Sequence, residues 1–135
     1  MALAFIDTNV LVRHFTQDNA ILSPKATAYL TCVGLGDMNI RLADTVVFET
    51  VFLLERTYKQ PKNLIRQALL ALIGFPGAIA PNKARLRATF DYDVNLNISF
   101  ADAYHAVLMA EDGLSEIATF DRDFDRVPGI RRIEP

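Results

Sequence analysis

The sequence is poor in the residues that form disulfides and zinc sites, and it has no run long enough to cross a membrane. It contains one cysteine, Cys32, and two histidines among 135 residues. A single cysteine cannot form an internal disulfide, and this set of residues is too small for a usual zinc site. The first residues show neither a basic segment nor a signal-peptide cleavage pattern. We therefore expect a cytoplasmic protein without a disulfide or a zinc site.

The chain also has little excess charge of either sign. Its 14 lysines and arginines nearly balance 16 acidic residues, which gives a formal net charge of −2. That value argues against a strongly basic surface for nucleic acid. If bound cations neutralised four clustered carboxylates, however, the rest of the chain would be slightly basic. Basic residues are grouped at 56–66 and at 83–87, although two solvated helix faces would explain those groups equally well.

The chain has the length of one domain, and 51% of its residues are hydrophobic, which is enough for a single core. Short apolar runs alternate with longer segments of helical character, and Ser23-Pro24 is typical of a helix start. This alternation predicts a mostly parallel sheet of four to five strands flanked by helices, with functional sites at the carboxyl ends of the strands. The predicted strands are 3–6, 39–43, 78–80, 116–119 and 130–133. The first of them is a short apolar run, which is typical of a buried strand.

Four acidic residues stand beside different apolar runs. Asp7 and Asp121 directly follow the first and fourth predicted strands, although each could simply cap the helix that follows. Glu49 lies in an almost wholly apolar helical stretch, so we expect it to be buried and to need a partner or a metal. Asp102 is the third residue after Ser99, where a capping box is an alternative explanation.

Together, these four carboxylates favour a divalent cation site. Two carboxylates about 4 Å apart repel by roughly 4 kcal/mol at an effective dielectric constant near 20, so four ionised groups need a cation. Oxygen ligands without histidine or cysteine favour Mg²⁺ or Mn²⁺, and such ions assist phosphate hydrolysis. Asp123 and Asp125 also follow Asp121, but they lack the glycine and glutamate of a calcium loop. We expect these two residues to be solvated.

The motifs that carry these acids resemble those of the PIN-domain nucleases. The matching segments are Asp7-Thr8-Asn9, Glu49 in its apolar helix, Phe100-Ala101-Asp102-Ala103 and Thr119-Phe120-Asp121. The length of the chain and the order of its motifs are especially similar to VapC-type toxins of toxin–antitoxin pairs. The resemblance implies a single PIN-like domain over 1–135, with a Rossmann-like, three-layer α/β fold.

The resemblance also implies a function and a set of site residues. The chain would be a Mg²⁺- or Mn²⁺-dependent endoribonuclease, the toxin of a type II pair, and a homodimer. A cognate antitoxin would bind a groove formed by the helices between residues 21 and 73. An alternative is a PIN fold that serves as a partner-binding module, and another is an RNA-processing nuclease that is not a toxin. The catalytic and metal-binding residues would be Asp7, Glu49, Asp102 and Asp121, supported by Thr8, Asn9 and Thr119.

Three further side chains are candidates for contact with RNA. Arg13 follows the first motif and Arg122 follows Asp121, so either guanidinium could bind the phosphate backbone. His105 lies three residues after Asp102. We expect His105 to be an ordinary half-buried histidine.

Overall fold

The computed structural model describes residues 2–135 and confirms an α/β protein. The chain divides into two compact units, Met1–Lys83 and Ala84–Pro135. Whether the whole chain behaves as one domain stays a prediction. In chain order the elements are β1 (Leu3–Phe5), α1 (Thr8–Thr16), α2 (Leu22–Leu35), β2 (Asn39–Arg41), α3 (Asp44–Arg56), α4 (Lys62–Ile73), β3 (Ala78–Ile79), α5 (Lys83–Asn95), α6 (Phe100–Asp112), β4 (Glu116–Ala118), a 3₁₀ helix (Arg122–Arg126) and β5 (Arg131–Ile133).

All five predicted strands are present, and every pairing among them is parallel. The first unit contains a three-stranded sheet in the order β1-β2-β3, with Ala4 opposite Ile40 and Ile40 opposite Ala78. The second unit contains β4 and β5, with Ile117 opposite Arg132. Parallel neighbours need long crossover connections, and the helices between the strands supply them.

The first strand differs from the expectation that it would be buried. All three residues of β1 are exposed, including Leu3 and Phe5. Strand β1 is the edge of the three-stranded sheet and pairs there with β2. A short apolar run does not reveal whether a strand lies at the centre or the edge of a sheet, so the prediction of a buried strand at β1 was wrong. The next residue, Ile6, is buried.

The core of the first unit is built from aliphatic side chains of its helices and of β2. Its helices are amphipathic, and each turns its apolar stripe inward. Helix α1 packs against both α2 and α3, which fixes the direction in which α1 leaves β1. Fully buried members of this core include Leu11, Val33, Ile40, Leu42, Val47, Leu54, Leu69 and Ile73.

The start of α2 is fixed by a residue other than the predicted Ser23. The side chain of Asn19 accepts hydrogen bonds from the backbone N–H groups of Ile21 (3.0 Å) and Leu22 (2.8 Å). Ser23 lies within the helix and is buried, and its Oγ accepts a bond of 3.2 Å from the N–H of Asn19. The prediction that Ser23 caps this helix was therefore wrong: α2 already begins at Leu22, and asparagine can bond the first N–H groups of a helix as well as serine can.

A close approach of the backbone at Gly77 holds β3 against its neighbours. The carbonyl of Gly77 accepts a hydrogen bond of 2.8 Å from Ile40, and its N–H donates to Val33 (3.1 Å). A Cβ atom at position 77 would overlap the carbonyl oxygen of Met38 and lie 2.8 Å from that of Val33. Only glycine fits between these carbonyls without moving the backbone.

The second unit has its own smaller core. Ile98, Ala103, Ala106, Phe124 and Val127 form one buried cluster. This cluster joins α6 to the segment after β4, so the first turn of α6 and the 3₁₀ helix are held by the same packing. Among residues 2–135, no helix is both long and apolar enough to cross a membrane.

Candidate functional site

Three carboxylates of the second unit come together. Asp102, Asp121 and Asp123 each offer one oxygen atom, and these three atoms all lie within 4.8 Å of one another. Asp102 comes from the first turn of α6, Asp121 follows β4, and Asp123 belongs to the 3₁₀ helix. The predicted pair of Asp102 and Asp121 is therefore joined by a third acid, Asp123, which we had expected to be solvated.

Local hydrogen bonds fix the position of Asp121. Its backbone N–H donates to Thr119 Oγ1 at 3.0 Å, and its side-chain Oδ1 accepts a bond of 2.8 Å from the N–H of Asp123. The second bond makes Asp121 the N-cap of the 3₁₀ helix. Asp121 thus performs the capping role considered as an alternative and also lies in the acidic cluster. Thr119 thus contacts the backbone of Asp121, and its supporting role stays a prediction.

Asp102 lies in the first turn of α6, and the pKa of its carboxyl group is raised. Ser99 caps α6 by accepting a hydrogen bond of 3.1 Å from the backbone N–H of Asp102. Burial raises the pKa of the Asp102 carboxyl above 3.8, and the charge of Asp121 raises it further. A hydrogen bond with Ser99 and the charge of His105 lower the pKa and partly offset these effects. His105 itself is exposed, so the expectation of a half-buried histidine was wrong.

The donor set of this cluster suits a hard divalent cation. Each ligand atom is a carboxylate oxygen, the type that Mg²⁺ and Mn²⁺ prefer. With bonds of about 2.1 Å, oxygens that share one Mg²⁺ lie between about 3.0 Å (adjacent) and about 4.2 Å (opposite) from one another. The three oxygens of this cluster lie within 4.8 Å of one another, which is close to that range. Asp102, Asp121 and Asp123 are therefore able to share one ion.

The other two predicted acids, Asp7 and Glu49, line a cavity in the first unit. This cavity has a volume of about 310 Å³, and its wall also includes Thr8, Asn9 and Arg13. Asp7 comes from the end of β1 and Glu49 from the middle of α3, so the packing of α1 on α3 brings both elements to one cavity. The structure places Asp7 with Glu49 in the first unit, and Asp102 with Asp121 in the second.

Asp7 is held by the start of α1. Its Oδ1 accepts a hydrogen bond of 2.8 Å from the backbone N–H of Thr8, and Asp7 is the N-cap of that helix. The Thr8 side chain is buried, and its Oγ1 has no hydrogen-bond partner in the described part of the chain. Since a buried hydroxyl without a partner is costly, its position beside Asp7 marks this helix start as unusual.

The exposure of Glu49 contradicts the prediction that its side chain is buried. We expected burial, because its neighbours in α3 are nearly all apolar, yet Glu49 is exposed. Helix α3 buries Val46, Val47, Thr50, Val51 and Leu54 on one side and exposes Phe52 on another. The apolar stretch thus continues onto the surface, and no cost of charge burial applies to Glu49. Its role as a site residue remains a prediction that rests on the motif and on the shared cavity.

The predicted cationic contacts differ in their surroundings. Arg13 forms an ion pair of 2.9 Å with Asp18 and lines two cavities, the one shared with Glu49 and a larger one of about 600 Å³. Asp7 and Asn9 line both cavities as well. Arg122 is exposed at the first position of the 3₁₀ helix.

Two side chains in these arrangements were missed by sequence reasoning. Asp123 could have been found from its spacing, because an N-cap aspartate such as Asp121 bonds the N–H two residues later and so holds that residue beside it. Tyr58, which lines the cavity of Asp7 and Glu49, gave no signal because it lies beyond the end of α3 in an irregular segment.

Comparison with protein families gives one match that covers most of the chain. A family model described as PIN domain matches residues 4–130. A search of curated proteins found no match to this sequence. The family match spans both compact units and all four predicted acids.

Proposed function

Because this chain belongs to the PIN-domain family, we propose that it is a divalent-metal-dependent endoribonuclease that hydrolyses phosphodiester bonds in RNA. The PIN fold is a nuclease fold, and its members generally depend on divalent metals. The observation that carries the proposal is the cluster of Asp102, Asp121 and Asp123, whose ligand atoms lie within 4.8 Å of one another. Substrate class and metal identity are the new parts of this proposal.

Each acidic residue has a defined part in the proposed reaction. Asp102, Asp121 and Asp123 would hold the cation, which we take to be Mg²⁺ or Mn²⁺ because every donor is a carboxylate oxygen. When bound, such an ion binds phosphate oxygens and stabilises the negative charge that develops during hydrolysis. Asp7 and Glu49 complete the predicted catalytic set, and we expect cleavage to require both. Arg13 and Arg122 would bind backbone phosphates of the RNA.

Cleavage assays with defined substrates test this function. The purified chain should cut single-stranded RNA with Mg²⁺ or Mn²⁺, and EDTA should abolish the cut. The Asp123→Asn variant should lose most of this activity, since the cluster loses one of its three charged donors. Single-stranded DNA of the same sequence tests substrate class, and cleavage of DNA alone would refute the ribonuclease assignment.

Asp125→Asn is the matched control for this substitution. It removes the same charge two residues further along the 3₁₀ helix, but Asp125 pairs with Arg132 at 2.7 Å and is absent from the cluster. Arg132 keeps its second ion pair, with Glu134 at 2.8 Å, and an ion pair near the surface contributes about 1 kcal/mol or less to stability. The control should therefore cleave RNA like the wild-type chain. Equal activity of both variants and the wild type would refute the metal site at Asp123.

We further propose that the chain is the toxin of a toxin–antitoxin pair and forms a homodimer. Chain length and motif order support the toxin role through their similarity to VapC-type toxins. Exposed apolar side chains between residues 21 and 73 support the expected antitoxin groove, and a cavity of about 600 Å³ opens beside Leu22, Ala26 and Tyr29. The exposed apolar residues of this region are Ile21, Leu22, Leu35, Met38, Phe52 and Leu64.

Expression in cells tests the toxin role separately from the nuclease activity. Induction of the wild-type chain should arrest growth, Asp121→Asn should not, and co-expression of the protein encoded by a small adjacent gene should restore growth. Cleavage in vitro without growth arrest would favour an RNA-processing nuclease. Tight partner binding without cleavage would favour a binding module. Light scattering of the purified chain measures its oligomeric state.

A further inference from the structure

An arginine, an aspartate and a tyrosine form a connected group at the edge of the cavity that contains Asp7 and Glu49. Arg13 Nη1 donates to both carboxylate oxygens of Asp18, at 3.0 and 2.9 Å. The Tyr58 hydroxyl donates to Asp18 Oδ2 at 2.7 Å. Arg13 and Tyr58 both line this cavity. Asp18 follows α1 and Tyr58 follows α3, so this group also links the ends of two helices.

The geometry limits where the Arg13 guanidinium can lie. A free arginine side chain loses substantial rotamer entropy when it is ordered. Here both hydrogen bonds to Asp18 use the same terminal nitrogen, whereas a guanidinium carries five N–H donors in a planar fork. The Asp18 carboxylate therefore holds one terminal nitrogen of the Arg13 guanidinium, and the planar fork is oriented before any ligand binds. A bidentate contact with a phosphate needs such an oriented fork.

The charges of this group are stable at neutral pH. The hydrogen bond from Tyr58 lowers the pKa of Asp18, and Arg13 lowers it further. Tyr58 and Asp18 in turn raise the pKa of Arg13. The pair is therefore a fixed anion and a fixed cation throughout the pH range in which RNA cleavage would be measured.

Orientation and net charge make opposite predictions for Asp18. As an anion, Asp18 weakens the attraction of Arg13 for a phosphate, so its removal should strengthen RNA binding if charge alone matters. As an anchor, Asp18 holds the guanidinium in one position, so its removal should slow a reaction that depends on that position. The sign of the effect therefore separates the two roles.

We propose that Asp18 and Tyr58 are positioning residues that hold the Arg13 guanidinium at the cavity of Asp7 and Glu49 to bind a phosphate of the RNA. This inference rests on the proposed ribonuclease function. Neither residue needs to touch the substrate, since both act through Arg13. The ligand class is the sugar–phosphate backbone, so the contact carries no sequence preference of its own.

Kinetic analysis of Asp18→Asn and Tyr58→Phe tests the proposal. With RNA and Mn²⁺, kcat/KM should fall on the order of 10- to 100-fold in Asp18→Asn, as expected for a misplaced contact. Tyr58→Phe removes the hydroxyl without changing the charge and should lower kcat/KM in the same direction but by less. Arg13→Lys keeps the charge and loses the planar fork, so it should behave like Asp18→Asn and not like the wild type.

The second unit offers a matched control. Arg85, Glu111 and Tyr104 form a similar group, with Arg85 Nε donating to Glu111 at 2.7 Å and Nη1 to Tyr104 at 3.4 Å. Glu111→Gln makes the same charge change as Asp18→Asn, and Tyr104→Phe matches Tyr58→Phe. Both controls should cleave RNA like the wild-type chain. An equal loss of activity in the controls would show that the effect follows from charge or stability.

Binding measurements separate failure of this inference from failure of the proposed function. If the wild-type chain cuts no RNA, the ribonuclease proposal fails, and binding of uncut RNA by Arg13→Gln still reports whether Arg13 contacts phosphate. One lost phosphate contact should lower the salt slope of binding to single-stranded RNA by about 0.7. If the wild type cleaves RNA and Asp18→Asn cleaves it equally well or better, the positioning role is refuted. Should Asp18→Asn fail to fold, Tyr58→Phe decides, because wild-type kinetics in that variant also refute the role.

Discussion

The carboxylate of Asp121 accepts a hydrogen bond of 2.8 Å from the backbone N–H of Asp123, so the residue that follows β4 caps the next helix with one of its oxygens. Asp7 does the same at the other strand end, with a bond of 2.8 Å from the N–H of Thr8. Both acids therefore have a structural role that is separate from any role in chemistry, and substitutions can separate the two.

Substitution of Asp121 by asparagine or alanine should separate capping from catalysis. Asparagine keeps a side-chain oxygen and is as good a cap as aspartate, so Asp121→Asn should abolish RNA cleavage and leave the free energy of unfolding nearly unchanged. Asp121→Ala should abolish cleavage and also cost about 1 kcal/mol, the usual cost of a lost cap. Urea unfolding and RNA cleavage measure the two effects. Wild-type cleavage by Asp121→Asn would contradict the proposed role.

Asp102→Asn should change the response of stability to metal. Burial raises the pKa of Asp102, so its ionised form opposes folding at neutral pH, and this cost disappears as the pH falls through the raised pKa. In EDTA at pH 7, Asp102→Asn should therefore unfold at the same or a higher temperature than the wild type. Mn²⁺ should raise the wild-type Tm more than that of the variant.

Asp112→Asn is the control for that comparison. It lies at the last position of α6 and is exposed, so it removes a carboxylate from the same helix away from the cluster. Titration of Mn²⁺ should show affinity close to that of the wild type in this control and affinity weaker by roughly tenfold in Asp102→Asn, which corresponds to about 1.4 kcal/mol. Equal affinities in the two variants would contradict metal binding by Asp102.

His14 should make stability depend on pH. Burial lowers the pKa of His14 below 6.5, and its Nδ1 lies 2.9 Å from Thr27 Oγ1. As the pH falls, His14 is protonated in the unfolded chain at a higher pH than in the folded chain. The contribution of neutral His14 to stability is therefore fully present above about pH 6.5 and is lost as the pH falls toward the lowered pKa. Urea unfolding at pH 7.5 and 5.5 should show this loss in the wild type and less of it in His14→Asn. Equal losses in the wild type and in His14→Asn would contradict this role of His14.

Gly77→Ala should be among the most destabilising single substitutions in the first unit. Its Cβ would overlap the Met38 carbonyl and crowd the Val33 carbonyl at 2.8 Å. Because both obstacles are backbone atoms, we expect a loss of about 3 kcal/mol or more. Gly34→Ala is the control, since the new Cβ would lie 3.4 Å from the Phe75 ring, and at this next-to-last position of α2 the helix preference of alanine over glycine is worth at most about 1 kcal/mol. Thermal unfolding should give a much lower Tm for Gly77→Ala than for Gly34→Ala, and equal Tm values would contradict the role of Gly77.

Local features of the sequence predicted the parts of the fold that local physics decides. The alternation of apolar runs and helical segments gave every strand within a residue or two, because strands and helices differ in their hydrophobic period. Asp7 and Asp121 were expected at strand ends and are found there. Ser99 was expected to cap α6, and the bond from Asp102 confirms it.

Features that depend on tertiary packing were not predictable in the same way. The exposure of β1 depends on its position at the edge of a sheet, and the exposure of Glu49 depends on which side of α3 packs inward. The apolar residues of β1 and those around Glu49 would form the same sequence pattern in the core or on the surface, so the pattern does not distinguish the two. The group of Arg13, Asp18 and Tyr58 joins residues 40 positions apart, so no short-range pattern in the sequence could indicate it.

Three of the acidic residues are held by hydrogen bonds to residues only one to three positions away. The carboxylates of Asp7 and Asp121 bond the backbone of Thr8 and Asp123, and the backbone of Asp102 bonds Ser99. Contacts this short in sequence form early, because almost no loop entropy opposes them, whereas the parallel strand pairings close long loops and form slowly. The carboxylates of Asp7 and Asp121 would therefore acquire their local orientation on the microsecond timescale of helix formation, well before the sheets are complete. During refolding, the local hydrogen bonds of these acidic residues should form before the parallel strands pair, and we expect the pairing of the strands to set the time at which activity returns.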